Sequence, residues 1–183
     1  ATTGSGTDND TITVTRGSAG AGDADFVMGA SSLEFAGGAV KLSNDVNLDI
    51  DGTGAVTIAA LEGTSSETVT ITTTATTTLG TVGTTTTTGI GDFAVNGSTS
   101  ASNGGIVLTG NITSFVSGGK TAGEQVQFTG PVVIKGDVTI TTDASSGANG
   151  TADDGKIHFS GANATILGHT SGTTALTLLS GAG

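Results

Sequence analysis

Cysteine, tryptophan and tyrosine are absent from this 183-residue chain, and proline occurs once. Without cysteine the chain has neither a disulfide framework nor a thiolate metal site. Aromatic residues make up only 3% of the sequence, and all six are Phe. A large compact core normally contains more bulky side chains, so the composition argues against a compact enzyme. It suits a narrow core filled by small and medium aliphatic side chains, with Thr on the outer face of strands.

Basic residues are also scarce, since five stand against 16 acidic ones and the formal net charge is −11. They are scattered singly, at Arg16, Lys41, Lys120, Lys135 and Lys156. Nucleic acids and anionic membrane surfaces both attract basic patches, so neither is an expected partner. No apolar run approaches membrane-spanning length, so no membrane span is predicted. The acidic, Thr-rich and Cys-free composition is typical of secreted bacterial proteins, and it predicts secretion or a place on the bacterial cell surface.

The sequence does contain a regular series of short strand signals. Three triplets follow one another at a six-residue step, each with two apolar residues two apart: residues 126–128, 132–134 and 138–140. Each triplet points two apolar groups to one side, and Gly130 and Gly136 allow bends between the triplets. Three strands and two bends make one coil of a parallel β-helix. We therefore predict an all-β chain, one parallel β-solenoid over residues 1–183 with Thr/Gly-rich turns and no separate domain.

A second stretch, residues 33–48, repeats this pattern after one insertion. The alignment pairs Phe35 with Phe128, Leu42 with Ile134, Asp45 with Asp137, Val46 with Val138, and Leu48 with Ile140. Further apolar pairs continue through the chain and, grouped in threes, predict about six coils. At about 4.8 Å per coil the rod would be roughly 30 Å long. Disorder is the alternative for so much Gly, Ser and Thr, but this alternation and a mean hydropathy of +0.17 argue against it.

The Thr-rich segment 72–88 is the low-complexity part of the chain, and its apolar alternation is limited to Leu79 and Val82. Such a run is either a sheet edge with two polar faces or a surface loop. We favour strand and turn on the outer surface.

The core prediction concerns three of the Phe residues, Phe35, Phe128 and Phe159, which should lie inside the coils. They should stack with aliphatic residues from the other sides of their coils: Leu42, Val46, Ile134 and Val138.

Neither end of the sequence has the features of a solenoid cap. The first ten residues are polar and turn-rich, and the sequence LTLLSGAG ends the chain directly after a strand signal. An uncapped coil leaves unpaired backbone groups that can pair with another strand. The expectation is continuation into further coils of a longer protein, or end-to-end stacking with copies of the same chain.

The stretches VQFTGPVVIKGDVTITTD, DDGKIHFSG and ALTLLSGAG resemble the repeats of filamentous-haemagglutinin-like exoproteins and related giant bacterial surface adhesins. The resemblance covers the last 80 residues well and the first 100 loosely. It implies a right-handed parallel β-helix, export from the cell, and a role in adhesion, biofilm or a fibre-like surface structure. These motifs are architectural, so no binding residue carries over from them.

An enzymatic hypothesis rests on Asn47, Asp49 and Asp51, which share one outward strand face by their period of two. Parallel β-helices also include polysaccharide lyases and hydrolases, whose sites need convergent carboxylates or basic groups. No Arg or His lies near this trio in sequence, and without Trp or Tyr a sugar-stacking platform is hard to build. The alternative interpretation is an acidic, solvated strand end that runs into a turn. No G-x-S-x-G elbow or triad pattern supports nucleophilic catalysis.

Calcium is the most plausible ion, because Asp on Gly-rich turns supplies the hard oxygen donors that Ca²⁺ prefers. The candidate ligands are Asp8, Asp10, Asp49, Asp51, Asp153 and Asp154. No calcium-binding repeat or loop motif accompanies them, and the ordinary turn chemistry of Asp explains them without a metal. His158 and His169 have no second ligand at metal-site spacing, so a transition-metal site is not predicted.

The combined expectation is a non-enzymatic extracellular protein without a cofactor, a structural or adhesive β-solenoid section or a fibre-forming subunit that stacks end to end. Its expected partners are further copies of itself or flanking repeats of the same chain, with surface glycans as a further candidate. The alternative is a β-helix protein that binds or degrades polysaccharide, because a fold alone does not fix a function.

Overall fold

The computed structural model describes residues 12–15, 24–43, 46–64, 67–84, 89–98, 105–114, 125–142, 155–168 and 174–180. All regular secondary structure within these ranges is β-strand. Every strand pairing among them is parallel. The prediction of an all-β chain with parallel strands is therefore confirmed.

The described ranges contain sixteen strands. They are β1 (Ile12–Thr15), β2 (Ala24–Met28), β3 (Leu33–Ser43), β4 (Leu48–Gly52), β5 (Val56–Glu62), β6 (Thr68–Thr73), β7 (Thr77–Val82), β8 (Asp92–Asn96), β9 (Ile106–Leu108), β10 (Ile112–Thr113), β11 (Gln125–Thr129), β12 (Val132–Ile134), β13 (Val138–Thr141), β14 (Lys156–Ser160), β15 (Ile166–Gly168) and β16 (Leu176–Leu179).

These strands form two parallel sheets between which the chain alternates. The smaller sheet has six strands in the order β2-β4-β6-β8-β11-β14. The larger sheet has ten strands and contains two side-by-side series. One series runs β1-β3-β5-β7-β10-β13-β16, and the other runs from residues 33–35 of β3 through β5, β7, β9 and β12 to β15. We call one strand of the smaller sheet, with the segments of the larger sheet that follow it, a layer.

The core consists of apolar residues that lie above one another from layer to layer. In the smaller sheet, one register column runs Ile50, Ile71, Val95, Phe128 and Phe159. In the larger sheet, another runs Val40, Leu61, Val82, Ile112, Ile140 and Leu178. One buried apolar cluster takes residues from both sheets. Since side chains alternate across each strand, the middle residues point outward.

The two glycine bends of the predicted coil are confirmed. Gly130 separates β11 from β12 with a φ of 120°, and Gly136 separates β12 from β13 with a φ of 100°. These backbone conformations are strained for residues that have a Cβ atom, which is why glycine stands at these two bends. The bends move the chain from the smaller sheet to the larger one and then between the two series of the larger sheet.

The sequence alignment between residues 33–48 and the later triplets is wrong by one strand. Phe35 pairs with Ile58 in the larger sheet, whereas Phe128 pairs with Val95 and Phe159 in the smaller sheet. Followed layer by layer, the register takes Phe35 to Ile134 instead. All three segments of a layer have the same alternation of inward and outward residues, so alternation alone does not tell which sheet a triplet joins.

The core prediction is confirmed for Phe128, which is fully buried. Its aliphatic companions are buried too: Leu42, Val46, Ile134 and Val138. Phe35 and Phe159 are only half-buried and pack against the edge of the core cluster. The Phe128 ring stacks on Phe159 at a centroid distance of 5.4 Å and meets Phe93 edge-on at 6.3 Å. Such pairs add attraction beyond the area that they bury.

The prediction that the Thr-rich segment lies on the outer surface is wrong for two of its threonines, and Leu79 and Val82 of the same segment are buried as well. Thr73 ends β6 and Thr77 begins β7, and both side chains are buried. Thr77 lies in an apolar column between Val56 and Ile106. Residues 85–88 of the segment lie outside the described residues. Threonine therefore occupies core positions here, which an apolar alternation pattern cannot reveal.

Buried hydroxyl groups at the corners of the layers bind backbone carbonyls of other segments. Thr73 Oγ1 donates to the Gly54 carbonyl and accepts a hydrogen bond from Ala75 N at 3.1 Å. Ser114 Oγ donates to the Gly91 carbonyl at 2.7 Å, and Thr142 Oγ1 donates to the Gly155 carbonyl at 2.9 Å. Buried carbonyls need such partners. Ser and Thr hydroxyl groups thus provide hydrogen-bond donors for buried carbonyl groups in the turns of this chain.

Thr73 and Thr77 should respond to valine in opposite directions. Thr73→Val removes the donor to the Gly54 carbonyl and should destabilise the chain by about 1 kcal/mol. Thr77 Oγ1 is buried with no hydrogen-bond partner among the described residues, so Thr77→Val should stabilise by roughly 1 kcal/mol. Urea unfolding measures both, with the outward Thr70→Val as a control within about 0.5 kcal/mol of the unchanged chain. Equal effects at Thr73 and Thr77 would contradict these contacts.

Candidate functional site

The outward side of the six-stranded sheet, which we call the polar face, carries two parallel rows of mostly hydrophilic residues. The first row runs Asp49, Thr70, Ala94, Gln127 and His158, and the second runs Asp51, Thr72, Asn96, Thr129 and Ser160. Within each row neighbouring residues are one strand spacing apart, about 4.8 Å. The carboxylates lie at the β4 end of the rows, and His158 lies at the β14 end. Neither row contains an aromatic ring other than the imidazole of His158.

Hydrogen bonds connect the polar face along and across its strands. Asn96 Nδ2 donates to Thr72 Oγ1 at 3.3 Å, and the hydroxyl groups of Thr129 and Ser160 lie 3.3 Å apart. Gln127 Nε2 donates to Thr129 Oγ1 at 3.4 Å on the same strand. These are long, weak bonds between half-exposed groups. The face is an array of hydroxyl and amide groups that bind one another and also face solvent.

The enzymatic candidates Asn47, Asp49 and Asp51 have unequal surroundings. Asn47 Oδ1 accepts a hydrogen bond from Thr68 N at 2.9 Å, which ties it to the next layer. Asp49 is half-buried and Asp51 is exposed. Their register neighbours on β6 are Thr70 and Thr72. The described residues therefore bring no basic side chain to the paired positions on β6, where an acid/base partner would stand.

The calcium candidates fall into two groups. Asp8, Asp10, Asp153 and Asp154 lie outside the described residues, as does His169. Asp49 and Asp51 are described, but no group of three or more His, Cys, Asp or Glu residues that could hold a metal occurs in the described part of the chain. His158 is exposed on β14. A Ca²⁺ site usually takes six to eight oxygen ligands, which Asp49 and Asp51 alone do not supply.

Three Asn and Asp side chains accept hydrogen bonds from the backbone of the next layer, and we call them rungs. The Oδ1 atom accepts a backbone N–H from the next layer in each case: Asn47 from Thr68 at 2.9 Å, Asn111 from Thr139 at 2.8 Å, and Asp137 from Ala175 at 3.0 Å. Sequence reasoning missed this role. The available signal was the position of Asn111 and Asp137 between a glycine and the next strand, in Gly-Asn-Ile and Gly-Asp-Val.

The terminal layer, formed by β14, β15 and β16, exposes residues of the apolar columns. Ile166 and Leu178 are each 46% exposed, although their register partners Val132 and Ile140 are fully buried. Among the described residues, these three strands pair on one edge only, with β11, β12 and β13. The prediction of uncapped ends rests on residues 1–10 and 176–183, of which residues 1–10 and 181–183 lie outside the described residues.

No family model matches this chain, and no curated protein or solved structure matches it either. Within the described ranges, no helix has the length and apolar character needed to cross a membrane.

Proposed function

We propose that this chain is a non-enzymatic structural or adhesive protein of the bacterial cell exterior, a section of a right-handed parallel β-helix or a fibre-forming subunit that stacks end to end. The observation that carries the proposal is the set of apolar columns that continue through every strand of the six-stranded sheet from β4 to β14. A core built this way grows by adding layers at its ends. Such growth produces length and surface rather than an enclosed pocket.

The six strands of the smaller sheet give six coils in this proposal. Connections between parallel strands of one sheet are right-handed in about 98% of cases, which sets the hand of the proposed helix. With one strand spacing per coil the rod is roughly 30 Å long. The same hand is implied by the resemblance to filamentous-haemagglutinin-like exoproteins, which favours adhesion, biofilm or fibre formation as the biological role.

Several polar groups of the described chain form contacts between layers, which supports a structural role. Asn47, Asn111 and Asp137 hold backbone N–H groups of the next layer. Thr73 and Ser114 bind carbonyls at the corners. Each layer is thus held to its neighbours by apolar contact, a parallel backbone ladder and side-chain rungs. These three kinds of contact together resist separation of the layers along the rod.

Labelling of cells tests the proposed location and role. Antibodies raised against the purified chain should label intact, unpermeabilised cells of the source organism. Deleting the coding segment should reduce attachment or biofilm mass while growth in suspension stays unchanged. Labelling that requires permeabilisation would contradict an exterior role, and unchanged attachment would contradict an adhesive or structural one.

The second candidate function, binding or degradation of polysaccharide, is favoured by one observation, the array of hydroxyl, amide and carboxylate groups on the polar face. We expect no turnover of acidic or neutral polysaccharides by the purified chain, because the register neighbour of Asp51 on β6 is Thr72, which supplies neither a second carboxylate nor a base. A glycan array and a lyase and hydrolase assay check this, with Asp51→Asn as the matched variant. Turnover that Asp51→Asn abolishes would establish the second function in place of the first.

A further inference from the structure

We propose that the terminal layer binds a second copy of this chain in one defined register. In this register β2 of the second copy pairs in parallel with β14, and residues 33–35 of its β3 pair with β15. The inference rests on the proposed function and specifies the contact by which end-to-end stacking would occur.

The open edges of two copies match in strand order and direction. β14 is the last strand of the series that begins with β2, and β15 is the last strand of the series that begins with residues 33–35. All pairings in both series are parallel, so a second copy continues them without a reversal. Two identical ends that met across a two-fold axis would instead pair their edge strands in antiparallel fashion. The parallel architecture therefore favours a head-to-tail contact.

Side-chain sizes are complementary in this register. It places Leu33 of the second copy on Ile166, which is 46% exposed in the single chain. It also places Phe35 of the second copy on Gly168, the one position of its column without a side chain. Phe35 and Leu33 are only half-buried within their own chain. The contact would cover apolar surface on both partners, and a large residue would meet a small one.

In the stacked register, two strands compete for one position, so one of them must be displaced. The series from β1 to β16 has seven strands, whereas the smaller sheet has six. When β2 of the second copy follows β14, β1 of the second copy and β16 of the first fall at the same level. β16 already covers Val138 and Ile140 with Leu176 and Leu178. It therefore stays, pairs its free edge with residues 40–43 of the second copy, and displaces that copy's β1.

Engineered disulfides test the register, because the chain contains no other cysteine. Val27 is 84% exposed and extends onto β2 the second row of the polar face, which ends at Ser160. Adjacent parallel strands bring paired Cα atoms to about 4.8 Å, within the range that a disulfide spans. The double variant Val27→Cys/Ser160→Cys should therefore form covalent ladders of dimers, trimers and longer chains upon oxidation. Mixed single variants should yield only the heterodimer.

Three control pairs make the result interpretable. Thr72→Cys/Asn96→Cys, paired within one chain, should close an internal disulfide and confirm the geometry. Val27→Cys/Lys156→Cys lies four residues out of register, roughly 13 Å away, and should not form ladders. Thr13→Cys/Leu179→Cys would cross-link only if β1 of the second copy packed directly on β16, and ladders from this pair would overturn the proposed register.

Proline variants test the displacement of β1. Thr13→Pro weakens the pairing of β1 with β3 and should raise the yield of Val27/Ser160 ladders several-fold, since β1 must leave. Thr177→Pro in β16 should lower it, because β16 would become an internal strand of the junction. A decrease in both variants would overturn the displacement. Absence of ladders from the Val27/Ser160 pair would overturn the junction, yet surface labelling would be unaffected, since a section inside a longer solenoid needs no self-contact.

Discussion

Replacing Phe128 with Ala should destabilise the chain by about 3–5 kcal/mol, the range for removing a fully buried aromatic ring. Phe128 is 0% exposed, and its ring contacts Phe93 in the preceding layer and Phe159 in the following one. The cavity would therefore open in the middle of a column and weaken two layer contacts at once. Such a loss is a large part of the stability of an ordinary domain.

Urea unfolding followed by circular dichroism measures this loss, with two variants as controls. Gln127→Ala, outward on the same strand, should change the free energy of unfolding by no more than about 0.5 kcal/mol. Phe128→Leu should retain much of the stability, because it leaves a smaller cavity. A Phe128→Ala variant as stable as Gln127→Ala would contradict the placement of the ring in the core.

Gly80→Ala should destabilise the chain by about 1–3 kcal/mol through overpacking. Gly80 lies in the middle of β7, and a Cβ atom there would come within 2.0 Å of the Ala59 carbonyl oxygen. The obstacle is backbone of the neighbouring strand, so no side-chain rotation relieves it. The layers would have to separate locally, and the parallel pairing of β5 with β7 would weaken.

Gly29→Ala is the matched control for this substitution. A Cβ atom at Gly29 would meet nothing within 4 Å, so the same chemical change should leave the free energy of unfolding nearly unchanged. Thermal unfolding of the two variants side by side separates crowding from any general effect of glycine replacement. Equal stability of the two would show that the β5 and β7 backbones do not approach as described.

The strand positions and the inward residues of the later layers were predictable from the sequence. Triplets such as residues 132–134 carry two apolar groups at a period of two, and glycines mark the bends. The sheet to which each triplet belongs was not predictable. Phe35 and Phe128 have equivalent local patterns but lie in different sheets, because that assignment depends on pairing between layers.

The inward threonines were not predictable for a different reason. Thr73 is buried because its hydroxyl group finds the Gly54 carbonyl, 19 residues earlier in the chain. A pattern of apolar residues shows which side chains tend to avoid water, but it does not show whether a buried hydroxyl group will find a hydrogen-bond partner elsewhere in the chain. Thr77 is buried although its hydroxyl group finds none among the described residues. Thr77 is buried because it lies in an apolar column between Val56 and Ile106, although its hydroxyl group is polar.

For the candidate site, the sequence predicted only which side of the strand its residues face. The period of two correctly placed Asp51 on the outward side of β4, but the role of Asn47 as a rung depends on Thr68. Rung partners lie 21, 28 and 38 residues apart in the three cases. Because the segments between layers differ in length, no fixed spacing in the sequence reveals these contacts.

The distance between spin labels at Val27 and Ser160 tests the layered parallel architecture most directly. The two positions begin and end one outward row and are separated by five strand spacings, so we expect a narrow distribution near 24 Å. Double electron–electron resonance on the Val27→Cys/Ser160→Cys variant, diluted in excess unlabelled chain, measures it without contributions from neighbouring copies. A narrow peak near 24 Å is the result that parallel layers predict, whereas a broad distribution or a peak beyond about 35 Å would contradict them.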